Sequence, residues 1–265
     1  MAQYVHGHHD PVVDSHRLRT AANSAAYLLG ELKPGHRLLD VGAGPGTITA
    51  DLADVVGPEN AAAMEVNDEA LELTRRGLLE RGLTQVQLFA GDAHAVPAQD
   101  ASFDVVHAHQ VLQHISDPVR ALADWRRLLT PGGLVAARDA DYEAFTWYPY
   151  VSELDEWLEL YRELARATGG EPDAGRRLHS WAREAGYSDV RASASVWCYT
   201  TDEERGTWAN TWANRVRHSE FATRALSSGL ATQEDLDRIA HGWLTWAQHP
   251  GGWFLIPHGE ILAFG

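Results

Sequence analysis

The run Leu38-Leu39-Asp40-Val41-Gly42-Ala43-Gly44-Pro45-Gly46-Thr47 constrains this chain most. A short apolar segment gives way to three glycines at alternate positions, and Ile48, Leu52 and Val55 or Val56 then fall at helical spacing. The pattern reads as a buried parallel strand, a tight turn and a helix over Thr47 to Val56. Glycine accepts positive φ and has no Cβ, so a ligand can touch the main chain and meet the free N–H groups of the helix start. In isolation an ordinary strand-to-helix turn would look the same, so the downstream residues have to decide between the two.

Downstream of the turn the unit repeats. Ala61 to Met64 reads as a second strand ending at Glu65, and Asp68 to Arg81 as a helix stopped by Gly82. Val86 to Ala90, Phe103 to His109 and Leu134 to Ala137 supply three more strands, with a helix over Val119 to Leu129. The alternation predicts an α/β fold, a mostly parallel sheet covered by helices on both faces. Upstream, Ser15 to Leu32 has helical spacing closed by Pro34-Gly35. Toward the C-terminus, helices are expected over Leu154 to Ala167 and Ala174 to Ala185, and strands over Val190 to Thr200 and Trp253 to Phe264. Residues 201 to 249 read as a helical insertion between those last two strands. The expectation is one Rossmann-like, doubly wound domain with seven strands, the last antiparallel. It comprises an N-terminal helical cap over 1–35, a ligand-binding core over 36–140 and a substrate-facing part over 141–265.

Composition narrows the partners. Twenty-two Lys and Arg stand against 37 Asp and Glu, a net charge of −15, which would repel phosphate backbones and anionic membrane surfaces. Neither nucleic acid nor membrane is therefore expected as partner. Cys198 is the only cysteine, which excludes an internal disulfide and fits a cytoplasmic setting. No apolar run has the length to span a bilayer, and residues 1–11 lack the order of a signal peptide. His6, His8 and His9 cluster beside Tyr4, but no further ligands recur at zinc-like spacing, so no metal is expected. Monomer and homodimer are both compatible with the sequence.

Two acids give the glycine turn a ligand. Glu65 lies nineteen residues after Gly46, at a strand end where a carboxylate can accept hydrogen bonds from both hydroxyls of a ribose. Gly91-Asp92-Ala93 ends the third strand, where Asp92 can accept from an adenine amine and Ala93 leaves room for the ring. All these positions share the sheet edge where open α/β folds bind ligands.

Taken together, these residues resemble the class I S-adenosylmethionine-dependent methyltransferases, in particular the small-molecule branch that includes the ubiquinone and menaquinone biosynthesis methyltransferases. The resemblance covers residues 14 to 139. Asp40 to Gly46 is similar to that family's first motif, Phe103-Asp104-Val105-Val106 to its fourth strand, and Leu129-Thr130-Pro131-Gly132-Gly133 to its approach to the fifth. By resemblance, the turn with Asp40, Gly42, Ala43 and Gly44 would take the methionine portion of S-adenosylmethionine, Glu65 the ribose, and Asp92 with Ala93 the adenine. His109 and Val111 would flank the cofactor, Tyr4 would cover it, and Arg19 would meet the methionine carboxylate. Met64-Glu65-Val66-Asn67 departs from the commoner glycine, hydrophobic residue, aspartate and serine arrangement.

Methyl transfer from a sulfonium is an in-line displacement, so the protein mainly aligns a nucleophile and excludes water. An oxygen or nitrogen nucleophile can need a base, for which His109 and His114 are candidates near the cofactor edge. Asp139 and Asp141, at the end of the fifth strand, either hold a substrate hydroxyl or cap the next loop. The aromatics Tyr142, Phe145, Trp147, Tyr148 and Tyr150, with Trp208, Trp212, Trp243 and Trp246, fit either a lid over a small-molecule substrate or core packing. Two other readings stay open. An NAD-dependent oxidoreductase is disfavoured because its third glycine follows the second by three positions, not two. A protein that binds S-adenosylmethionine for a non-methylating purpose fits the same residues.

Overall fold

A computed structural model of the chain describes residues 19–265. Tyr4 and the histidines at 6, 8 and 9 lie outside the described residues. Eight strands form one sheet: β1 (Leu38–Val41), β2 (Ala61–Glu65), β3 (Gln87–Ala90), β4 (Phe103–His109), β5 (Leu129–Ala140), β6 (Thr146–Tyr148), β7 (Asp189–Tyr199) and β8 (Trp253–Phe264). Their order is β3-β2-β1-β4-β5-β8-β6, with β7 also paired to β8. The first five run parallel, and β8 is antiparallel to β5, β6 and β7.

The expected seven strands are thus eight. Thr146-Trp147-Tyr148 pairs with Leu255, Phe254 and Trp253, along the β8 edge that β5 occupies further on. Three residues are too few to show an alternating pattern, so this strand was hidden in the aromatic stretch. Strand β5 also runs past Ala137 through Arg138, Asp139 and Ala140. A charged pair interrupts the apolar signal although all three side chains are buried.

The helices covering the sheet are α1 (Ala21–Ser24), α2 (Ala26–Leu29), α3 (Thr47–Val56), α4 (Asp68–Glu80), α5 (Pro118–Leu128), α6 (Ser152–Ala167) and α7 (Leu178–Glu184). The single helix expected over Ser15 to Leu32 is, from residue 19 onward, two short turns. Thr20 and Asn23 cap each other reciprocally, Ser24 donates to the Asn23 side chain, and Ala25 leaves helical geometry. Side chains that bond nearby backbone compete with helix continuation. A 3₁₀ turn over Ala174–Arg177 likewise replaces the first part of the helix expected from Ala174. One apolar cluster packs α1, α2 and α3 onto one face of β1, β4 and β5, and a second packs α5 and α7 onto the other.

Residues 201–249 fold as α8 (Asp202–His218), α9 (Glu220–Ser228) and α10 (Gln233–Ala247). Thr201, Ser219 and Thr232 cap their N-termini by accepting backbone N–H groups. With α6 and the start of β8 they enclose an aromatic core in which Trp157, Trp212, Trp243, Trp246 and Phe254 are fully buried. Trp212 stacks on Trp243 at 5.9 Å between ring centres, and Trp157 meets both edge-on at 4.4 and 4.8 Å. These tryptophans are therefore core. Of the four tryptophans in the helical insertion only Trp208, stacked on Tyr199 at 4.8 Å, keeps part of its surface outside, as does Trp147 of β6. Among the described residues no helix is long and apolar enough to cross a membrane.

Candidate active site

The strand order reverses between β1 and β4, and the glycine turn stands at that point. Gly42, Gly44 and Gly46 all have positive φ, of 72°, 55° and 77°. The turn is fixed from both sides: Gly42 N–H donates to the Met64 carbonyl at 2.8 Å, and Thr74 of α4 donates to the Gly44 carbonyl at 2.6 Å. Helix α4 comes this close because Gly77 faces Pro45, whose oxygen would lie 1.9 Å from an added Cβ. At Gly42 an added Cβ would stand 2.5 Å from Val111, so the turn and the loop after β4 touch there. At Gly44 it would meet nothing within 4 Å, so this backbone borders open space.

Glu65 ends β2 beside that space. One of its carboxylate oxygens accepts the Gly44 N–H at 2.6 Å and the other the Val66 N–H at 3.2 Å. Asp40 is committed inside the protein instead: it accepts from the Thr49 hydroxyl at 2.5 Å and pairs with His107 Nδ1 at 2.7 Å, tying β1 to α3 and β4. Asp92 is exposed at the next strand end, where backbone and ring contacts from His94 hold its carboxyl below the usual range. The Ala93 carbonyl accepts from Trp125 Nε1 at 2.9 Å, which fixes the loop.

Across the switch point the residues are buried side chains. His109 ends β4 paired with Arg138 of β5. Among the described residues neither ring nitrogen of His109 has a partner, and burial together with the charges of Arg19 and Arg138 holds its pKa well below the ordinary histidine value. Its ring lies 5.7 Å from Trp197 of β7 and 6.2 Å from His258 of β8. Gln110, with φ of 54°, donates its backbone N–H to the Arg138 carbonyl at 2.7 Å, and its side-chain amide lies 2.9 Å from His258 Nε2. A left-handed non-glycine residue at this strand end costs free energy and aims the following loop toward the turn.

Asp139, on the opposite face, accepts from Gln113 N–H at 3.1 Å and so holds the 3₁₀ turn Leu112–His114. Burial raises its carboxyl to about 8, so it is largely protonated at neutral pH. His114 lies 3.0 Å from the Gln113 amide, and burial with the Arg19 charge pushes its pKa down to about 3. Asp141 binds Arg176 at 2.7 Å, and both line a cleft of about 290 Å³ with residues 192–194 of β7 and 257–261 of β8. Arg19 lies with its guanidinium 5.5 Å from the centre of Trp197. Among the described residues no group of three or more His, Cys, Asp and Glu is arranged to hold a metal.

Sequence reasoning passed over His107, Arg138, Trp197 and His258. The signal for Arg138 was present: Val135-Ala136-Ala137-Arg138-Asp139-Ala140 carries two charges inside a buried strand. Trp197 and His258 gave none, because their neighbours come from distant parts of the chain.

Residues 39–137 match the family model described as a methyltransferase domain. The chain is 33% identical to the uncharacterized methyltransferase C1B3.06c of Schizosaccharomyces pombe, over 98% of its own length and 95% of the relative's. It is 30% identical to the ubiquinone/menaquinone biosynthesis C-methyltransferase of Teredinibacter turnerae, over 62% of this chain and 71% of that protein. Its fold matches the phosphoethanolamine N-methyltransferase 2 of Haemonchus contortus, solved with phosphomonomethylethanolamine and S-adenosylhomocysteine. That match has a TM-score of 0.55 at 18% identity and covers 90% of this chain and 51% of the other. The chain belongs to the class I S-adenosylmethionine-dependent methyltransferases. It is an enzyme, and its cofactor is S-adenosylmethionine. The open backbone at Gly44 and the carboxylate of Glu65 fit that cofactor.

Proposed function

We propose that this methyltransferase acts on an oxygen, nitrogen or carbon atom of a small organic molecule, held between the ends of β4 and β5 and strands β7 and β8. The bound cofactor supplies an electrophilic methyl group on a sulfonium. Gly42, Ala43 and Gly44 receive its methionine portion, Glu65 its ribose hydroxyls, and Asp92 with Ala93 its adenine. Val111 and His109 flank it. Asp40 keeps the turn in register by bonding Thr49 and His107, and Asp139 positions Leu112–His114.

The observation that carries this reading is His109: a buried imidazole at the strand end next to the glycine turn, with both nitrogens unpartnered among the described residues. Buried polar atoms are nearly always hydrogen-bonded, so a partner from outside the chain is the natural completion. Held neutral, the ring accepts a hydrogen bond from the acceptor's X–H and orients it. His114, turned toward Gln113, supports the loop. The net charge of −15 favours a small acceptor over nucleic acid, and the single cysteine suits work in the cytoplasm as monomer or homodimer. Incubation with methyl-labelled S-adenosylmethionine and fractionated metabolites, read by mass spectrometry, should give a small labelled product. Label found only on nucleic acid or protein would refute the proposal.

A further inference from the structure

Trp197 is the centre of an unusual concentration of positive and neutral nitrogen groups. The guanidinium carbons of Arg138 and Arg19 lie 4.9 and 5.5 Å from its ring centre, and the rings of His258 and His109 at 4.5 and 5.7 Å. A third arginine, Arg215 of α8, is buried nearby over Trp212 at 5.1 Å, and its charge also reaches Tyr199.

Arg138 is the group that asks for a ligand. Its side chain is fully buried, and its Nε alone is used, donating to the Ser195 hydroxyl at 3.0 Å and to Glu260 at 3.3 Å. Among the described residues, neither terminal amino group, Nη1 or Nη2, has an acceptor. Were the pair with Glu260 purely structural, the forked guanidinium would be expected to engage the carboxylate through two parallel bonds. Instead Glu260 also accepts from the Ser193 and Ser195 hydroxyls, and the fork of Arg138 is left over. Four unpartnered nitrogens, two on Arg138 and two on His109, thus belong to side chains paired across adjacent strands. They stand at the sheet edge that carries the glycine turn.

The geometry points to a methyl acceptor that carries a carboxylate, received by the terminal amino groups of Arg138 and flanked by Trp197 and His109. Two planar donors match two carboxylate oxygens, and a buried guanidinium fork favours an anion over a neutral group. This rests on the proposed acceptor site and adds the class of molecule that fills it.

The test is calorimetry on full-length protein loaded with S-adenosylhomocysteine, titrated with pairs of small aryl and alkyl carboxylates and their amides, benzoate against benzamide first. Carboxylates are expected to bind about tenfold or more tighter than their amides. Arg138→Met combined with Glu260→Gln, which leaves no buried carboxylate unpaired, should abolish that preference while S-adenosylhomocysteine affinity and the melting curve stay close to wild type. If that variant does not fold, Arg138→Lys, which keeps charge but not the fork, should reduce the preference. The inference is overturned if no carboxylate outbinds its amide, if phenyl phosphate outbinds benzoate, or if the preference survives loss of Arg138. Failure to bind S-adenosylhomocysteine would instead strike the cofactor placement, which the same titration series reads first.

Discussion

On the β1 side of the switch point, the site is made of backbone and strand-end acids within residues 40 to 93, partly exposed and fixed by short hydrogen bonds. On the β5 side it is made of side chains drawn from residues 19, 109, 138, 197 and 258; His109, Arg138 and His258 are buried, and His109 and Arg138 carry nitrogens without a partner among the described residues. The first half is complete without a ligand, since Glu65 and Asp40 already have partners. The second leaves nitrogens of His109 and Arg138 without a partner among the described residues, and there we place the methyl acceptor. A cofactor common to a family suits a rigid local cradle, whereas the function proposed above puts acceptor choice in side chains that the rest of the fold brings together.

The largest effect is expected in the scaffold that both halves share. Trp243→Ala, at the centre of the aromatic core, should destabilise the protein by about 3–5 kcal/mol in chemical denaturation. Any S-adenosylhomocysteine affinity change should be small where the variant stays folded. Second in size is Gly44→Val. The added Cβ meets no protein atom within 4 Å, and the φ of 55° costs the new residue about 1–2 kcal/mol. Cofactor affinity should nevertheless fall about a hundredfold or more by calorimetry, and unchanged affinity would place the cofactor elsewhere. Glu65→Gln keeps an acceptor for Gly44 but removes the charge and one acceptor from a diol. Its effect on affinity should be nearer tenfold.

Two pH experiments separate the halves further. Asp139 sits near 8 in the folded protein against about 3.9 when unfolded. Folding therefore takes up a proton between those values. The stability that this group contributes is complete below about pH 4 and is lost as pH rises toward 8. Asp139→Asn cannot ionise, so wild type should lose at least about 1 kcal/mol relative to the variant between pH 5 and pH 8, read by thermal melts. The smallest effect concerns His109. Because its pKa lies well below the ordinary value, acceptor turnover should show no histidine limb between about pH 6 and 7.

Much of the first half was legible in the sequence, because its signals are local: an apolar run, glycines at fixed offsets, an acid at each strand end. The helix Thr47–Val56 and the strands Phe103–His109 and Trp253–Phe264 fall where periodicity puts them. Strand β6 escaped because three residues carry no period, and the end of β5 because Arg138 and Asp139 look like surface residues until β8 covers them. The balance between lid and core for the tryptophans could not be struck from spacing, since both uses put aromatics on one helix face. Pairing across distant segments decided it, as it did for Trp197 and His258.

The measurement that bears most directly on this division of labour is a crystal structure of the protein with S-adenosylhomocysteine. The ribose hydroxyls should lie on Glu65, the methionine portion along Gly42 to Gly44, and the sulfur should be directed toward His109 and Trp197. A ribose away from Glu65, or a sulfur turned from the His109 side of the switch point, would contradict a local cofactor cradle facing a long-range acceptor site.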